Sequence, residues 1–600
     1  MTLEARKDLR NLAIIAHVDH GKTTLVDGLF RFTGAFGSRD FEERAMDSGD
    51  LERERGITIS AKSTSVEWEG LRIQLVDTPG HADFGGEVER TLGMVDAALL
   101  LVDAVEGVMP QTRFVLRKAL AHGLRPILVV NKIDRPEQRA DQVVDEVFDL
   151  LVELGAADDQ LDFPVVYASA KQEAATLDLA EPLSDLRPLL EVIREHAPPP
   201  LVDREAPLQF QAVTLGWDDF VGRLVIGRVE RGVLERNATV VRIPAEGSGD
   251  SFRVRKLFGV RGLSRTEQDR AEAGDIAILA GIDSIEIGDT LCDPGELVAL
   301  PRIALDPPTL RVRFGVNDSA FAGREGQFVT SRQLWERLER EALGNPAILV
   351  EETATRDTFE VAGRGELQIS VLVETLRREG FEFGVSRPEI ILREVEGRSC
   401  EPVEEVWIDV PEKVAGSVME KLGGRRGRMV SMEHEGDRMT LQYVVPSRCL
   451  FGYRSEVLSD TRGEGGLHRS VQGYEPYVGD IDGRGVGAIV ATEEGRATAH
   501  ALASIQERAT MFIEPGAQVY EGQVVGEARR PGDIQVNVCR TKKLTNIRAA
   551  GRDDSPQVSP PRRVTIESAL EWIEDDELLE VTPENLRLRK RILSGSFRKR

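Results

Sequence analysis

The sequence predicts a multidomain protein that opens with a parallel α/β domain, continues through a small β-barrel and then enters α+β domains. Three observations carry this expectation. The chain has 600 residues, well beyond the roughly 250–300 at which a single hydrophobic core stops growing. Short apolar runs alternate with helical periodicity up to the triple proline Pro198–Pro200, after which short β-branched runs and glycine-rich turns take over. Beyond Asp306 a strand-helix-strand-strand-helix-strand order can be traced, and a similar order follows from about residue 390.

The elements follow in order. Asn11–Ala16 (N-L-A-I-I-A) is an apolar strand that stops at a His/Asp/Gly cluster, and the chain resumes as a helix at Thr23. Further strands are expected at Ile73–Val76, Ala98–Val102 and Ile127–Val130, with helices around Thr112–Ala121 and Val143–Leu154. Such alternation builds a mostly parallel sheet covered on both faces, and ligands of these sheets bind outside the carboxyl ends of the strands. Residues 201–305, with F-V-G-R-L-V-I-G-R-V and A-G-D-I-A-I-L-A, read as the β-barrel. Residues 306–388 hold the strand T-L-R-V-R-F-G-V, an amphipathic helix over Thr330–Glu341 and a second helix ending near Gly380. Residues 389–480 repeat that order with a helix from Glu412 towards Leu422, and 481–600 mix short strands with a helix near Leu570.

Hydrophobic residues make up 41% of the chain and no apolar run nears the ~20 residues that span a bilayer, so no membrane role is expected. Met1–Arg10 is charged and runs straight into a strand, unlike a secretory leader. The four cysteines, Cys292, Cys400, Cys449 and Cys539, lack metal or redox spacing and fit a reducing cytosol. A net charge of −25 argues against a wholly nucleic-acid-binding surface but allows local basic patches. The clearest patch is Arg587–Arg600, with seven Arg or Lys and no acid, preceded by six acids over Glu571–Glu580. These runs read as a phosphate-binding tail or as a solvated terminus.

Ala16–Thr23 (A-H-V-D-H-G-K-T) lies between strand and helix. A phosphate-binding loop needs small residues so that successive N–H groups turn towards phosphates at a helix N-terminus. Asp19, His20, Gly21, Lys22, Thr23 and Thr24 form that cradle, with Lys22 for the β and γ phosphates and the Thr23 hydroxyl for Mg²⁺. The usual pattern opens with Gly, and here it opens with Ala16. D-T-P-G-H, Asp77–His81, follows the strand I-Q-L-V; Asp77 can support Mg²⁺ through a water, and the Gly80 N–H can sense the γ-phosphate. N-K-I-D, Asn131–Asp134, follows I-L-V-V. The Asp134 carboxylate can accept two hydrogens from a guanine edge, which adenine cannot supply in that pattern. Asn131 and the Lys132 stem complete the base pocket, and Ser169, Ala170 and Lys171 close it from the other side. With every motif in order at a strand end, the site is read as one for GTP or GDP.

Between the first two motifs, R-G-I-T-I (Arg55–Ile59) places Thr58 to coordinate Mg²⁺ only while a γ-phosphate is present, an order-to-disorder switch. His81 is the candidate that positions and polarises the attacking water. Lys22, Thr58, Gly80 and His81 are thus the catalytic candidates, with Asp19 a further one through the cation environment. His17 and His20 are read first as loop-shaping residues.

These motifs resemble the translational GTPases, the class of elongation factor G, elongation factor Tu and LepA, and resemble the TypA/BipA family most. The more specific likeness lies in M-D-S-G-D-L-E-R-E-R-G-I-T from Met46, H-A-D-F-G-G-E-V-E-R from His81 and Q-L-D-F-P-V-V-Y-A-S-A from Gln160. It continues in E-G-Q-F-V-T-S-R-Q from Glu325, G-R-G-E-L from Gly363 and K-K-L-T-N-I-R from Lys542, so nearly the whole chain is covered. The resemblance implies a P-loop GTPase domain (1–200), a β-barrel (201–305) and two ferredoxin-like α+β domains (306–388 and 389–480). The second of these is similar to the fifth domain of elongation factor G, and a family-specific mixed domain follows (481–600). It implies a monomeric GTPase of the bacterial cytoplasm, stimulated by the 70S ribosome and acting in large-subunit assembly and in stress- or cold-adapted translation. Val18 and Ile57 would form an apolar gate flanking His81.

The implied partners are rRNA, A-site tRNA and ribosomal proteins near the factor site. Arg540, Lys542, Lys543, Asn546, Arg548 and Arg552 look like a loop that reaches phosphate backbones, where positive charge releases counterions without base readout. Where the family reads V-P-S-R-G-L-I-G-F-R, this chain has V-P-S-R-C-L-F-G-Y-R, Val445–Arg454. Cys449 replaces a glycine, so either positive φ is not needed there or the backbone has adjusted. Arg448 and Arg454 are read as RNA contacts or as surface ion pairs. Two other readings stay open: an elongation or back-translocation factor like elongation factor G or LepA, and a nucleotide-gated RNA scaffold with little turnover.

Overall fold

The computed structural model describes residues 3–17, 19–35, 50–55, 62–78, 85–218, 220–245, 249–282, 284–303, 307–345, 347–435, 437–463, 465–479, 484–541 and 558–595. They form two compact units, one of residues 1–306 with 343–347 and one of 307–342 with 348–600.

The first unit opens with a seven-stranded sheet. Its order is Lys62–Trp68, Leu71–Asp77, Leu9–Ala16, Ala97–Asp103, Arg125–Asn131, Val165–Ser169 and Ala174–Thr176. The five inner strands are parallel and the outer two antiparallel to their neighbours. Both faces are apolar, as the uninterrupted I/L/V runs require. Leu25, Leu29 and Phe30 of the helix Lys22–Thr33 pack on one face with Leu189 and Ile193. Val88, Leu92, Leu116, Val143 and Val147 cover the other. Register brings Ala16 beside Leu101, Asp103 beside Asn131 and Asn131 beside Ala168, so the motif-bearing strand ends finish at one edge.

Residues 201–303 carry an eight-stranded antiparallel sheet around Phe210, Leu279 and Leu291. Its hydrogen-bonded path runs from Asp250–Arg253 to Ser264–Glu267 and does not close among the described residues, so the expected barrel is only partly realised. Val233–Glu235 and Arg270–Glu272 pair with each other as a separate two-stranded sheet.

In the second unit, Leu310–Val316, the helix Ser331–Gly344, Leu349–Glu352, Thr358–Gly363, the helix Glu366–Arg378 and Phe383–Ser386 follow the expected order. In chain order the strands lie second, third, first, fourth across the sheet. The strands of 398–476 are arranged in the same way around Ile408, Leu422, Leu441 and Tyr453. The first of these sheets does not end at Phe383–Ser386. That strand pairs antiparallel with Glu577–Val581, and the sheet continues through Leu586–Lys590, Gln523–Ala528 and Ala488–Ala491. One core, with Phe314, Ile369, Phe383, Leu570 and Leu579, serves both segments, and 398–476 is an insertion between them.

This sheet also revises the two charged runs near the end of the chain, neither of which is a solvated tail over its described part. Glu577–Val581 and Leu586–Lys590 form an antiparallel pair that sets Glu577 opposite Lys590 and Glu580 opposite Arg587. Lys590 Nζ lies 2.9 Å from Glu577 and 2.6 Å from Asp533, and Arg587 donates to Glu580 at 3.0 Å. Glu580, fully buried, also accepts from Ser319 Oγ at 3.1 Å and from the Tyr520 hydroxyl. No described helix is long and apolar enough to cross a membrane.

Candidate guanine-nucleotide site

The loop after Leu9–Ala16 turns sharply because two of its residues are left-handed, Asp19 at φ 64° and Gly21 at φ 94°. Left-handed residues in a tight loop aim successive N–H groups into a concavity that suits anions, and the helix Lys22–Thr33 begins directly behind it. Glycine is required at 21 for a second reason: a Cβ there would overlap Asn131 Nδ2. That amide donates to the His20 carbonyl at 2.8 Å, while Asn131 Oδ1 accepts from the Ala170 N–H at 2.9 Å. One side chain therefore ties the phosphate loop to the Ser169–Lys171 turn.

Lys22 Nζ lies 2.6 Å from Oδ1 of the buried Asp77, so the cation of the first motif and the carboxylate of the second meet. Thr78 Oγ1 donates to the Ile14 carbonyl at 2.9 Å, fixing the start of the D-T-P-G segment to the central strand. Ser169 Oγ donates to Asp134 Oδ1 at 2.6 Å and accepts from the Gln172 N–H at 3.3 Å, which orients the Asp134 carboxylate. Thr23 is half-buried, whereas Thr24 and Lys171 are exposed. A left-handed anion concavity, a lysine on a buried carboxylate and a hydroxyl in the first helical turn suit a triphosphate with its divalent ion.

His20 is fully buried. Burial pushes its imidazolium down to about 4, against smaller opposing effects from the Leu101 carbonyl and Asp103. Nδ1 lies 3.3 Å from the Asp103 N–H and 3.4 Å from the Leu101 carbonyl, and Nε2 is 3.5 Å from Glu106. Glu106 on Nε2 favours the tautomer with its proton there, so Nδ1 accepts from Asp103. Asp103, also fully buried, was missed by the sequence reading. Its Oδ2 lies 2.5 Å from Lys132 Nζ, and its Oδ1 accepts from the Val105 N–H at 2.8 Å. Burial raises this carboxyl, but Lys132 and the Val105 N–H together hold it below the usual carboxylate value. The only sequence signal was an acid ending an apolar strand at the edge where the motifs gather.

Val18, Ile57, Thr58, Gly80 and His81 lie outside the described residues, as do Lys542, Lys543, Asn546, Arg548 and Arg552. Arg448 makes a two-pronged pair with buried Glu401, at 2.5 and 3.0 Å, and lies over the Tyr477 ring. Arg454 and Arg540 are exposed, and the Arg540 carbonyl accepts from Thr498 Oγ1. Cys449 is buried in the short turn Ser447–Cys449 and is not among the positive-φ residues, so this backbone needs no glycine there.

The fold and the loops at its sheet edge define a G domain of the elongation-factor kind. The family model for the elongation factor Tu GTP binding domain matches residues 7–199, and that for elongation factor Tu domain 2 matches 222–292. The elongation factor G C-terminus model matches 398–484 and the TypA/BipA C-terminal domain model 486–595. A protein of Escherichia coli K12 named large ribosomal subunit assembly factor BipA is 51% identical over 595 residues, covering 99% of this chain and 98% of that one. Proteins of the same name from Salmonella typhimurium LT2 and Bacillus subtilis 168 are 50% identical over 597 residues and 49% over 601. They cover 99% and 100% of this chain, and each match spans 98% of the relative. A crystal structure from Thermus thermophilus covers 79% of this chain and 98% of its own at TM-score 0.54 and 18% identity, a likeness of fold.

The chain belongs to the TypA/BipA family of GTPases. It is a GTP-hydrolysing enzyme.

Proposed function

We propose that this chain is a ribosome-stimulated GTPase of the bacterial cytoplasm that binds the 70S ribosome and acts in large-subunit assembly and in stress- or cold-adapted translation. The observation that carries the nucleotide part is the clamp in which Asn131 bonds both the His20 carbonyl and the Ala170 N–H. It draws the phosphate loop and both base-flanking turns together at one sheet edge. The relatives named as assembly factors, aligned over nearly the full length, support the ribosomal part.

In this reading the N–H groups of Asp19–Thr24 bind the phosphates, and Lys22 leaves Asp77 for the β and γ oxygens. Asp134, oriented by Ser169, pairs with the guanine edge, flanked by Asn131, Lys132, Ala170 and Lys171. Thr23, Thr58 and Asp77, the last through a water, hold a magnesium ion that neutralises phosphate charge when bound. Gly80 reports the γ-phosphate, and His81, between Val18 and Ile57, orients the attacking water. Residues 1–200 form the G domain, 201–305 a barrel-like domain, 306–388 and 389–480 ferredoxin-like domains, and 481–600 the family's own domain. The chain acts as a monomer. Arg454 and the segment from Arg540 through Lys542, Lys543, Asn546, Arg548 and Arg552 meet rRNA and A-site tRNA.

Steady-state GTP hydrolysis with and without purified 70S ribosomes tests this. Strong stimulation in wild type that His81→Ala abolishes is expected. Equal slow rates in all four conditions would refute the mechanism.

A further inference from the structure

We propose that Asp103 is a positioning residue for nucleotide binding, which holds Lys132 and His20 in the conformations the guanine site requires. This rests on the nucleotide reading above and adds a residue that lies outside every motif of the site.

Asp103 ends the strand Ala97–Asp103 and sits directly beside Asn131, the last residue of the neighbouring parallel strand. Its backbone N–H and Oδ2 reach two different loops of the site, while Oδ1 fixes its own following turn. The backbone N–H donates to His20 Nδ1 at 3.3 Å, Oδ1 accepts from the Val105 N–H at 2.8 Å, and Oδ2 meets Lys132 Nζ at 2.5 Å. Lys132 needs such an anchor. Among the described residues it is one of few non-glycine residues with positive φ, at 65°, a strained conformation that persists only where its surroundings impose it. An unanchored ammonium would extend into water. Tethered to the adjacent strand end, it leaves the four-carbon stem as the part of Lys132 available to an aromatic base.

The same residue thus restrains the phosphate loop through His20 and the base loop through Lys132. Its register partner on the neighbouring strand adds a second tie, Asn131 to the His20 carbonyl. Asp103 is too deeply buried to touch a ligand itself, and Arg135, 3.6 Å from it and half-exposed, gives weaker neutralisation than Lys132. Its influence on the nucleotide therefore passes through Lys132 and His20.

Asp103→Asn separates this role from a purely structural one. Asparagine keeps the acceptor for Val105 and the backbone N–H for His20 but removes the charge that holds Lys132. Stopped-flow release of a fluorescent GDP from the full chain reads the effect, with Lys132→Ala and the double variant alongside. Asp103→Asn is expected to release GDP at least tenfold faster than wild type, measured at a temperature where both proteins are fully folded. The double variant is expected to release no faster than Lys132→Ala alone. Wild-type release from Asp103→Asn, or additive effects in the double variant, would overturn the assignment. A wild-type protein that binds no GDP would overturn the nucleotide reading itself, which makes the two failures distinguishable.

Discussion

Replacing Gly21 by alanine would set a methyl group against the Asn131 amide, and the size of the penalty can be worked from the geometry. Gly21 sits at φ 94°, so an L-residue there carries about 1–2 kcal/mol of backbone strain. The added Cβ would also overlap Asn131 Nδ2, whose hydrogen bond to the His20 carbonyl is 2.8 Å long. Moving that side chain aside weakens this bond and the partner bond from the Ala170 N–H. A net contribution of about 1 kcal/mol for each hydrogen bond is typical. Together these come to about 3 kcal/mol, or roughly a hundredfold in Kd. Titration of fluorescent GDP into wild type and Gly21→Ala measures it directly. A Kd within threefold of wild type would mean that Asn131 moves freely, and the clamp would then lose its claim to organise the site.

Other outcomes follow from the same kind of reasoning. His20 is held neutral, with its folded value near 4 against an ordinary 6.5. Its contribution to stability is therefore complete above pH 6.5 and is lost as pH falls towards 4. About 2 kcal/mol should vanish between pH 7 and 5, and His20→Gln should flatten the denaturation profile over that window; identical profiles would contradict the assignment. Glu580→Ala removes a fully buried carboxylate that takes Arg587, Ser319 and Tyr520. A loss of about 3 kcal/mol is expected in urea denaturation, and a loss under 1 kcal/mol would show the network to be slack. Arg448→Ala leaves buried Glu401 without its two-pronged partner, so it should lower the melting temperature. Arg540→Ala, at an exposed position, should weaken ribosome co-sedimentation with little change in melting.

Legibility in the sequence followed range. The strands of the G domain could be read because each is an unbroken apolar run stopping at a polar motif, and parallel topology sends those stops to one edge. Likewise, F-E-V-A-G-R-G-E-L-Q changes period from two to 3.6 within ten residues, which exposes the strand-to-helix passage. The pairing of Phe383–Ser386 with Glu577–Val581 could not be read, since four residues carry no record of so distant a partner. Charge misled for a related reason. Glu577, Glu580, Arg587 and Lys590 form runs of one sign along the chain, and only the hairpin sets them opposite one another. At the site, Asn131, Lys132 and Asp134 announced themselves as a motif. Asp103 did not, because its partners Lys132 and His20 lie far from it in sequence and meet it only across neighbouring strand ends.

The shared sheet has a consequence for how the chain is made. Ser386 leaves the ribosomal exit tunnel long before Glu577, with 190 residues between them. At synthesis rates of about 5–20 residues per second, roughly 10 to 40 seconds pass before the partner strand emerges. Throughout that interval the edge of Phe383–Ser386 is unpaired and its core neighbours Phe314 and Val385 lack the cover of Leu579 and Val581. The inserted segment 398–476, which has a core of its own, is complete well before then. Synthesis of this protein thus includes a timed vulnerability, in which a nascent chain displays an open β-edge to its surroundings until Glu577–Val581 has been added.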